Sequence, residues 1–360
     1  MRRSIANLNL STALAVLLMA ASHAAAGSYN VVDLGALPGG STTGRAINLA
    51  GDIVGSSGAP QSGISRAFFW SSRQGVRSLG VLAGGDYSDA FAINHPGQVT
   101  GSSNTANGVH AFFWSPVSGF RDVGTLAGDA SSRGFGINDS GQVVGYSSGA
   151  AGVRAFVWSS RTGMQSLGTL GGNDSEAYAV NNAGQIVGIS SASNGKRAFL
   201  WTSGTGMQDL GVLAGDTASR ALSINARGMI VGSSFGPAGG HAVLWNNGTI
   251  QNLGTLGGNF SVARGVNNAG QVVGESAISL GPRAFLWTSA QGMQDLNSFI
   301  PASLGIVLTA ALSINDNGQI VAIGATVADP AHAVDLDDPH HPGPTHAFLL
   351  TPAGATLGQR

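Results

Sequence analysis

Apolar residues in this chain come in short runs that alternate with polar or small ones, and the same order of runs keeps returning. In residues 164–201 a short mixed run is broken by Gly171 and Gly172, and residues 175–180 then alternate small and larger side chains. Asn181-Asn182-Ala183-Gly184 interrupts the alternation, residues 185–190 resume it, and Arg197-Ala198-Phe199-Leu200-Trp201 follows as a run of β-favouring residues. A period of two over four to eight residues predicts strands, and the interruptions predict their turns. Asn suits the first position of a type I turn and Gly the left-handed position that closes it with a bulge, so 175–190 is a hairpin. With Arg197 to Trp201 as the third strand and residues 207–213 as the fourth, one repeat supplies four strands.

The unit occurs seven times. Asn48, Asn94, Asn138, Asn181, Asn225, Asn267 and Asn315 are each followed three residues later by Gly, at spacings of 42 to 48 residues. A period near 44 means a solenoid, a propeller or an array. The third strand is apolar on both sides, Phe199 and Trp201 pointing one way and Ala198 and Leu200 the other, so both faces need covering. Blades stacked radially provide that cover. A small hydroxyl stands six residues before each Asn (Thr42, Ser88, Ser132, Ser175, Ser219, Ser261, Thr309) and Gly or Ala four before, sizes expected to suit a crowded central axis. The third strands end at Trp70, Trp114, Trp158, Trp201, Trp245, Trp287 and Leu350, again seven.

The expected architecture is therefore all-β, a seven-bladed β-propeller of four-stranded repeats of about 44 residues. It would form one domain over residues 27–360 with an insertion at 325–345, a β-solenoid being the alternative. Residues 29–35 match a fourth strand with no repeat before it, and would close the ring. Residues 351–358 resemble such a strand too and compete for the same edge.

Composition narrows the setting. At 360 residues the chain exceeds the size of one ordinary core, which agrees with modules. The net charge of −1 and a charged fraction of 10% give no face for nucleic acid, which is not an expected partner. Arg2 and Arg3 precede an apolar stretch over 10–21 and the small residues Ala24, Ala25 and Ala26, the pattern of a secretory signal peptide at residues 1–26. The stretch is too short for a membrane anchor, and no span is expected in the mature chain. A secreted, extracellular or periplasmic protein without cysteine must be stabilised by packing alone.

The strings Arg66-Ala67-Phe68-Phe69-Trp70, His110-Ala111-Phe112-Phe113-Trp114 and His346-Ala347-Phe348-Leu349, with Asp209-Leu210-Gly211 and the run from Asn267 to Gly274, resemble the HAF-repeat family of predicted bacterial extracellular proteins. The resemblance covers nearly the whole mature chain and implies a bacterial extracellular repeat protein. It brings no established activity, so it implies class and not mechanism. Three departures are local: Pro96 in the second hairpin, Ala322 in place of the usual Gly, and Leu350 in place of Trp.

Candidate chemistry falls into three sets. Before each third strand stands a cation: Arg66, His110, Arg154, Arg197, His241, Arg283 and His346. A crown of this kind would bind carboxylated or sulfated glycans through bidentate Arg, unless each member serves a loop carbonyl or the recurring Asp122, Asp209 and Asp295. Asp86, Asp129, Asn173, Asp216 and Asn259 follow the Leu-Gly segments; calcium needs more oxygens than each loop offers, so turn capping is expected. The insertion carries His332, Asp335, Asp337, His340 and His341, metal-capable side chains among prolines in a spacing that matches no defined site. Apart from a divalent metal there, no cofactor is expected.

Nucleophile-elbow, phosphate-loop and zincin motifs are absent from the sequence, and Glu occurs only at 176 and 275. The six Trp residues are expected in the core and not as a sugar-stacking set. The functional expectation is a secreted or cell-envelope binding module, non-catalytic, for an extracellular glycan or envelope protein. The alternatives are a polysaccharide lyase or hydrolase working at the propeller mouth, and a purely structural protein.

Overall fold

The computed structural model describes residues 28–37, 40–59, 64–326 and 346–354. Its 28 strands form seven four-stranded antiparallel sheets. In the fourth blade these are Gly171–Val180, Ile186–Ala192, Gly195–Thr202 and Gly206–Asp209. The Asn-x-x-Gly turn forms as its chemistry dictates: Gly184 N donates to Asn181 O at 3.0 Å, and Gly184 takes φ 75°. Pro96 does not disturb its own copy, where Gly97 N still reaches Asn94 O at 3.1 Å. First strands adjoin one another around a full circle, the seventh, Ile306–Ile314, meeting Ser41–Ile47 of the first. The ring is closed, as a propeller requires and a solenoid does not.

Closure falls to the amino-terminal strand. Tyr29–Asp33 pairs antiparallel with His346–Pro352, from Tyr29↔Pro352 to Asp33↔Phe348, as the outer strand of the last blade. Tyr29 is buried, with its ring edge-on to Phe299 at 6.5 Å, and Leu34 N donates to Ala347 O at 2.9 Å. The carboxy-terminal segment does not compete within the described residues: the last blade ends on Tyr29–Asp33, and residues 355–360 lie outside them.

The core lies between blades. Phe199 and Trp201 pack with Val144, Ala155 and Leu167 of the preceding blade. Ala198 and Leu200, on the reverse face, pack with Ala221, Val243 and Trp245 of the next. Seven apolar clusters of this kind separate the seven blades, and a fully buried Phe in one of them stabilises by about 1.5–3 kcal/mol. Trp70, Trp114, Trp158, Trp245 and Trp287 are buried in these clusters and Trp201 is half-buried, so the tryptophans are core. Between the sixth and seventh blades the 3₁₀ turn Leu296–Phe299 adds Leu296 and Phe299 to the cluster.

The hydroxyl column is not where the sequence placed it. Ser88 Oγ donates to Gly80 O at 2.6 Å and accepts from Ala67 N at 2.9 Å, both in the blade before its own. Ser132, Ser175, Ser219 and Ser261 repeat both bonds. These five serine hydroxyls face the neighbouring blade and not the axis, while Thr42 and Thr309 bond Ser57 Oγ and Ile323 O within their own blades. Smallness is needed for close blade contact, and the hydroxyl satisfies an amide and a carbonyl that would otherwise be buried without partners. The fourth strands are shorter than the apolar run, because Leu213 has left the sheet to donate its amide to Ser234 Oγ at 3.0 Å.

Blade seven shows why Ala322 is tolerated. In the second strands Gly55, Gly101, Gly145, Gly188, Gly232 and Gly274 have no room for a side chain: a Cβ on Gly188 would stand 1.9 Å from Glu176 O. In the seventh blade an extra residue, Thr309, bulges from the first strand between Leu308 and Ala310, and the tight approach passes to Gly324, whose Cβ would meet Val307 O at 2.4 Å. The bulge relieves position 322, and alanine fits there.

Candidate functional site

Each hairpin asparagine does more than turn the chain. Asn94 Nδ2 donates to Asn138 O at 2.9 Å, Asn138 to Asn181 O at 3.2 Å, Asn181 to Asn225 O at 3.1 Å and Asn225 to Asn267 O at 2.9 Å. Asn267 donates to Asn315 O at 3.1 Å, Asn315 to Asn48 O at 2.9 Å and Asn48 to Asn94 O at 3.4 Å, completing a circle. Each Oδ1 accepts the amide four residues on, as Asn181 Oδ1 does from Gln185 N at 3.1 Å. In six of the seven the second amide proton goes to Gln98, Gln142, Gln185, Gln271 or Gln319 Oε1, or to Asp52 Oδ2, while Asn225 has Met229 at that place. A buried amide with this inventory filled is a clasp between blades, and it rings the axis at one face.

Beside the clasp lies a cavity of about 280 Å³ on that axis. Its collar is the residue before each Asn, Ile47, Ile93, Ile137, Val180, Ile224, Val266 and Ile314, all branched and apolar. Its rim is the residue after each Asn, and there the repeats part company: Leu49, His95, Asp139, Asn182, Ala226, Asn268 and Asp316. The rim is cross-linked in two arcs. Asp139 N donates to Asn182 Oδ1 at 2.9 Å and Asn182 Nδ2 to Asp139 Oδ2 at 2.7 Å, while Asn268 donates through N and Nδ2 to the two oxygens of Asp316, both at 2.7 Å. The outcome is a preformed, mildly acidic mouth above an apolar ring.

Deeper along each first strand the repeats diverge again. Every first strand carries a bulge three residues before its Asn, as at Gly44/Ala46, Ala90/Ala92 and Ala177/Ala179. The bulged residues are Arg45, Phe91, Phe135, Tyr178, Leu222, Arg264 and Leu312. A bulge re-aims its side chain, and these meet one another around the axis. Arg45 lies over Phe91 at 4.7 Å, Phe91 is edge-on to Phe135 at 5.0 Å, and Phe135 is 5.6 Å from Tyr178. None of this follows the seven-fold repeat.

Charge gathers with them. Arg133, Glu176, Arg220 and Asp89 stand two residues before a bulge, and Glu275 pairs Arg264 at 2.6 Å. Tyr178 Oη donates to Glu176 at 3.0 Å, Arg220 Nε to Ser233 Oγ at 3.1 Å, and Tyr87 Oη to Asp89. Burial raises the Tyr87 phenol well above its usual range, and the Asp89 carboxylate raises it further. Burial also raises Tyr146. The Arg45 guanidinium is pushed below its ordinary range, first by desolvation; Asp89 and Tyr87 oppose the shift, while Arg264 and Arg133 add to it. Those groups belong to the second, third and sixth blades, so they share the axis with Arg45 of the first.

The crown residues sit on the opposite face, at the start of the third strands and away from the axis. His110 Nδ1 meets Asp122 Oδ2 at 2.8 Å, His346 Nδ1 meets Asp33 Oδ2 at 2.9 Å, and Arg154 meets Asp129 at 3.2 Å. Arg197 is buried against Thr217 O and Asn194 O, and Arg66 and Arg283 reach the carbonyls of Ser65 and Pro282. Of the expected outer-strand carboxylates, Asp122 pairs with His110 and Asp209 lies 3.7 Å from Arg197, with Asp33 of the closing strand in the same role, whereas Asp129 opens a first strand and Asp295 caps Asn297 N instead. His241 has a half-buried place in its strand. Of the second set, Asp86 accepts from Asn104 at 2.6 Å and Asp216 from Ser234 at 2.6 Å, each bonded within its own blade. His332, Asp335, Asp337, His340 and His341, like residues 1–26, lie outside the described residues.

Sequence reasoning missed the axial set because it looked for columns that repeat. The signal was available in the converse: at offsets −5, −3 and +1 from the Asn the seven copies differ, while offsets −4 and −2 stay small and offset −1 stays Ile or Val.

No known family profile matches the chain, and no curated protein is similar to it in sequence. Solved structures are similar in fold. Virginiamycin B lyase from Staphylococcus aureus aligns over 90% of this chain and 98% of its own at 10% identity, with a TM-score of 0.57. Pyrococcus horikoshii acylaminoacyl peptidase aligns over 79% and 49% at 8% identity, with a TM-score of 0.50. TolB from Acinetobacter baumannii aligns over 66% of this chain at 10% identity with a TM-score of 0.48, and the chain spans 61% of TolB. Among the described residues no helix is long and apolar enough to cross a membrane. The chain is a seven-bladed β-propeller.

Proposed function

We propose that this protein is a non-catalytic binding module, exported from the cytoplasm, whose ligand seats in the axial mouth on the asparagine face. The observation that carries the reading is the convergence there of positions that differ between otherwise uniform repeats. Ring symmetry alone would make the rim seven-fold. Instead Asp139, Asp316, His95, Asn182 and Asn268 form a set without seven-fold symmetry, with the apolar collar beneath. Concave sites with an apolar lining and a few placed polar groups are the usual form of small-ligand sites.

The rim's carboxylate and amide oxygens suit hydroxyl donors, and the collar suits the apolar face of a sugar ring, so an extracellular glycan end is the proposed ligand. The signal-peptide pattern and the resemblance to HAF-repeat proteins support export. The crown on the other face is assigned to blade cohesion, since its described partners are protein carbonyls and carboxylates.

Blocking the mouth tests this. Ala226→Trp puts a large side chain on an exposed rim position and should abolish retention on a glycan array or immobilised envelope fraction with the melting temperature kept. Retention unchanged by the plug would overturn the reading, and turnover of a polysaccharide lost with the plug would turn it toward an enzyme.

A further inference from the structure

The axial channel holds one cation more than its carboxylates balance. Arg45, Arg133, Arg220 and Arg264 face Asp89, Glu176 and Glu275, four against three. Arg264 is taken by Glu275, and Arg220 by a serine hydroxyl. Asp89, nearest in charge to Arg45, is already bonded by Ser65 Oγ at 2.8 Å and by Tyr87 Oη. Arg45 Nε is enclosed and meets no acceptor among the described residues.

Arg45 keeps part of its surface accessible while its Nε is fully enclosed. Both hold at once for a side chain reaching into a narrow channel from the wall. Its guanidinium carbon lies 4.7 Å from the centre of the Phe91 ring, a cation–π contact that does not use the N–H donors. A buried cation without an acceptor is costly, and ordinarily something completes it.

We propose that the channel is an anion site, in which Arg45 binds the carboxylate or sulfate group of a ligand entering from the mouth. This rests on the axial reading above and adds the ligand's charge: an acidic glycan in place of a neutral one. Arg supplies two parallel donors to a planar carboxylate or to two sulfate oxygens. Arg133 and Arg264, by crowding Arg45 with like charge, favour any anion that arrives. Phe91, Phe135 and Tyr178 continue from Arg45 as a chain of ring contacts around the axis.

The test uses free anions, so it does not depend on the glycan. Titration calorimetry of the whole protein with sodium sulfate and with sodium acetate, at constant ionic strength, should show saturable binding of one of them. The arm that binds separates a sulfate ester from a sugar carboxylate as the group recognised. Arg45→Gln should weaken that binding by about tenfold or more, the loss of a charge-assisted pair of hydrogen bonds. Asp89→Asn should strengthen it several-fold by removing the competing carboxylate, and Arg161→Gln, on an exposed outer turn, should leave it unchanged. Absence of saturable binding to the wild type, or equal binding by Arg45→Gln, overturns the proposal. If Arg45→Gln does not fold, Asp89→Asn decides: binding equal to or weaker than wild type is the overturning result. Anion binding without any glycan retained would sink the glycan reading alone, and retention of neutral glycans without anion binding would sink this one alone.

Discussion

Two positions three residues apart, one at a first strand's bulge and one in the turn that follows it, behave in opposite ways. Asn138 has the same identity in all seven blades; the place of Phe135 is kept by Phe91 in one blade and taken by Arg45, Tyr178, Leu222, Arg264 and Leu312 in the others. Both sit at the inner edge of a blade. What differs is the partner: Asn138 Nδ2 bonds Asn181 O, a backbone atom of the next blade that ring symmetry presents identically seven times. Phe135 meets Phe91, Tyr178 and Tyr146, side chains that no symmetry specifies. A repeat protein is constrained where a side chain answers to backbone, and free where side chains answer to one another.

The contrast can be broken, and the largest effect belongs to the backbone-facing side. Gly188→Ala forces a Cβ to within 1.9 Å of Glu176 O and should destabilise by about 4 kcal/mol or prevent folding. The reverse change at the bulged blade, Ala322→Gly, should cost only about 1 kcal/mol, and chemical denaturation compares the two. Tyr29→Ala removes the buried anchor of the closing strand, with an expected loss of about 3 kcal/mol and an earlier opening of residues 346–352 in hydrogen exchange.

Asn181→Ala breaks one link of the clasp and leaves Gln185 N and Asn225 O short of a partner, a loss of about 2 kcal/mol. Its neighbour in the contrast should be far more tolerant: Phe135→Leu is expected to change the denaturation midpoint by the equivalent of about 1 kcal/mol or less. Equal losses at 181 and 135 would show that the axial column is as constrained as the clasp.

The smallest effect appears only in alkali. Tyr29, Tyr87 and Tyr146 all have folded pKa values raised above 10.0 by burial, which favours the neutral phenol. Their contribution is complete below pH 10 and is lost as the pH rises beyond it, because the unfolded chain ionises first. Phenolate absorbance of the folded protein should therefore rise late, and Tyr87→Phe should flatten the alkaline loss of stability.

Much of the fold was legible because its determinants are local. The hairpin at Asn181 to Gly184 is turn chemistry, the double-faced strand at Phe199 to Trp201 is a period of two, and a blade covered on both sides needs neighbours. The hydroxyl column was legible as a pattern and misplaced in space, since Ser88 answers to Gly80 O and Ala67 N across a blade boundary that no local rule reveals. The axial set was hidden for a further reason. Arg45 and Arg264 are 219 residues apart and look like ordinary strand positions until the ring brings their charges together.

From sequence alone came the strands, their turns, the count of seven and two candidate segments for closing the circle, because each depends on a side-chain period or on a backbone angle that Gly or Asn permits; the pairing of Tyr29–Asp33 with His346–Pro352 decided between the two. Tertiary structure alone decided what the repeated asparagine holds, why alanine is allowed at 322, and which residues meet on the axis. Those are properties of closure: a ring turns seven separate copies of one position into neighbours, and only neighbours have a chemistry in common.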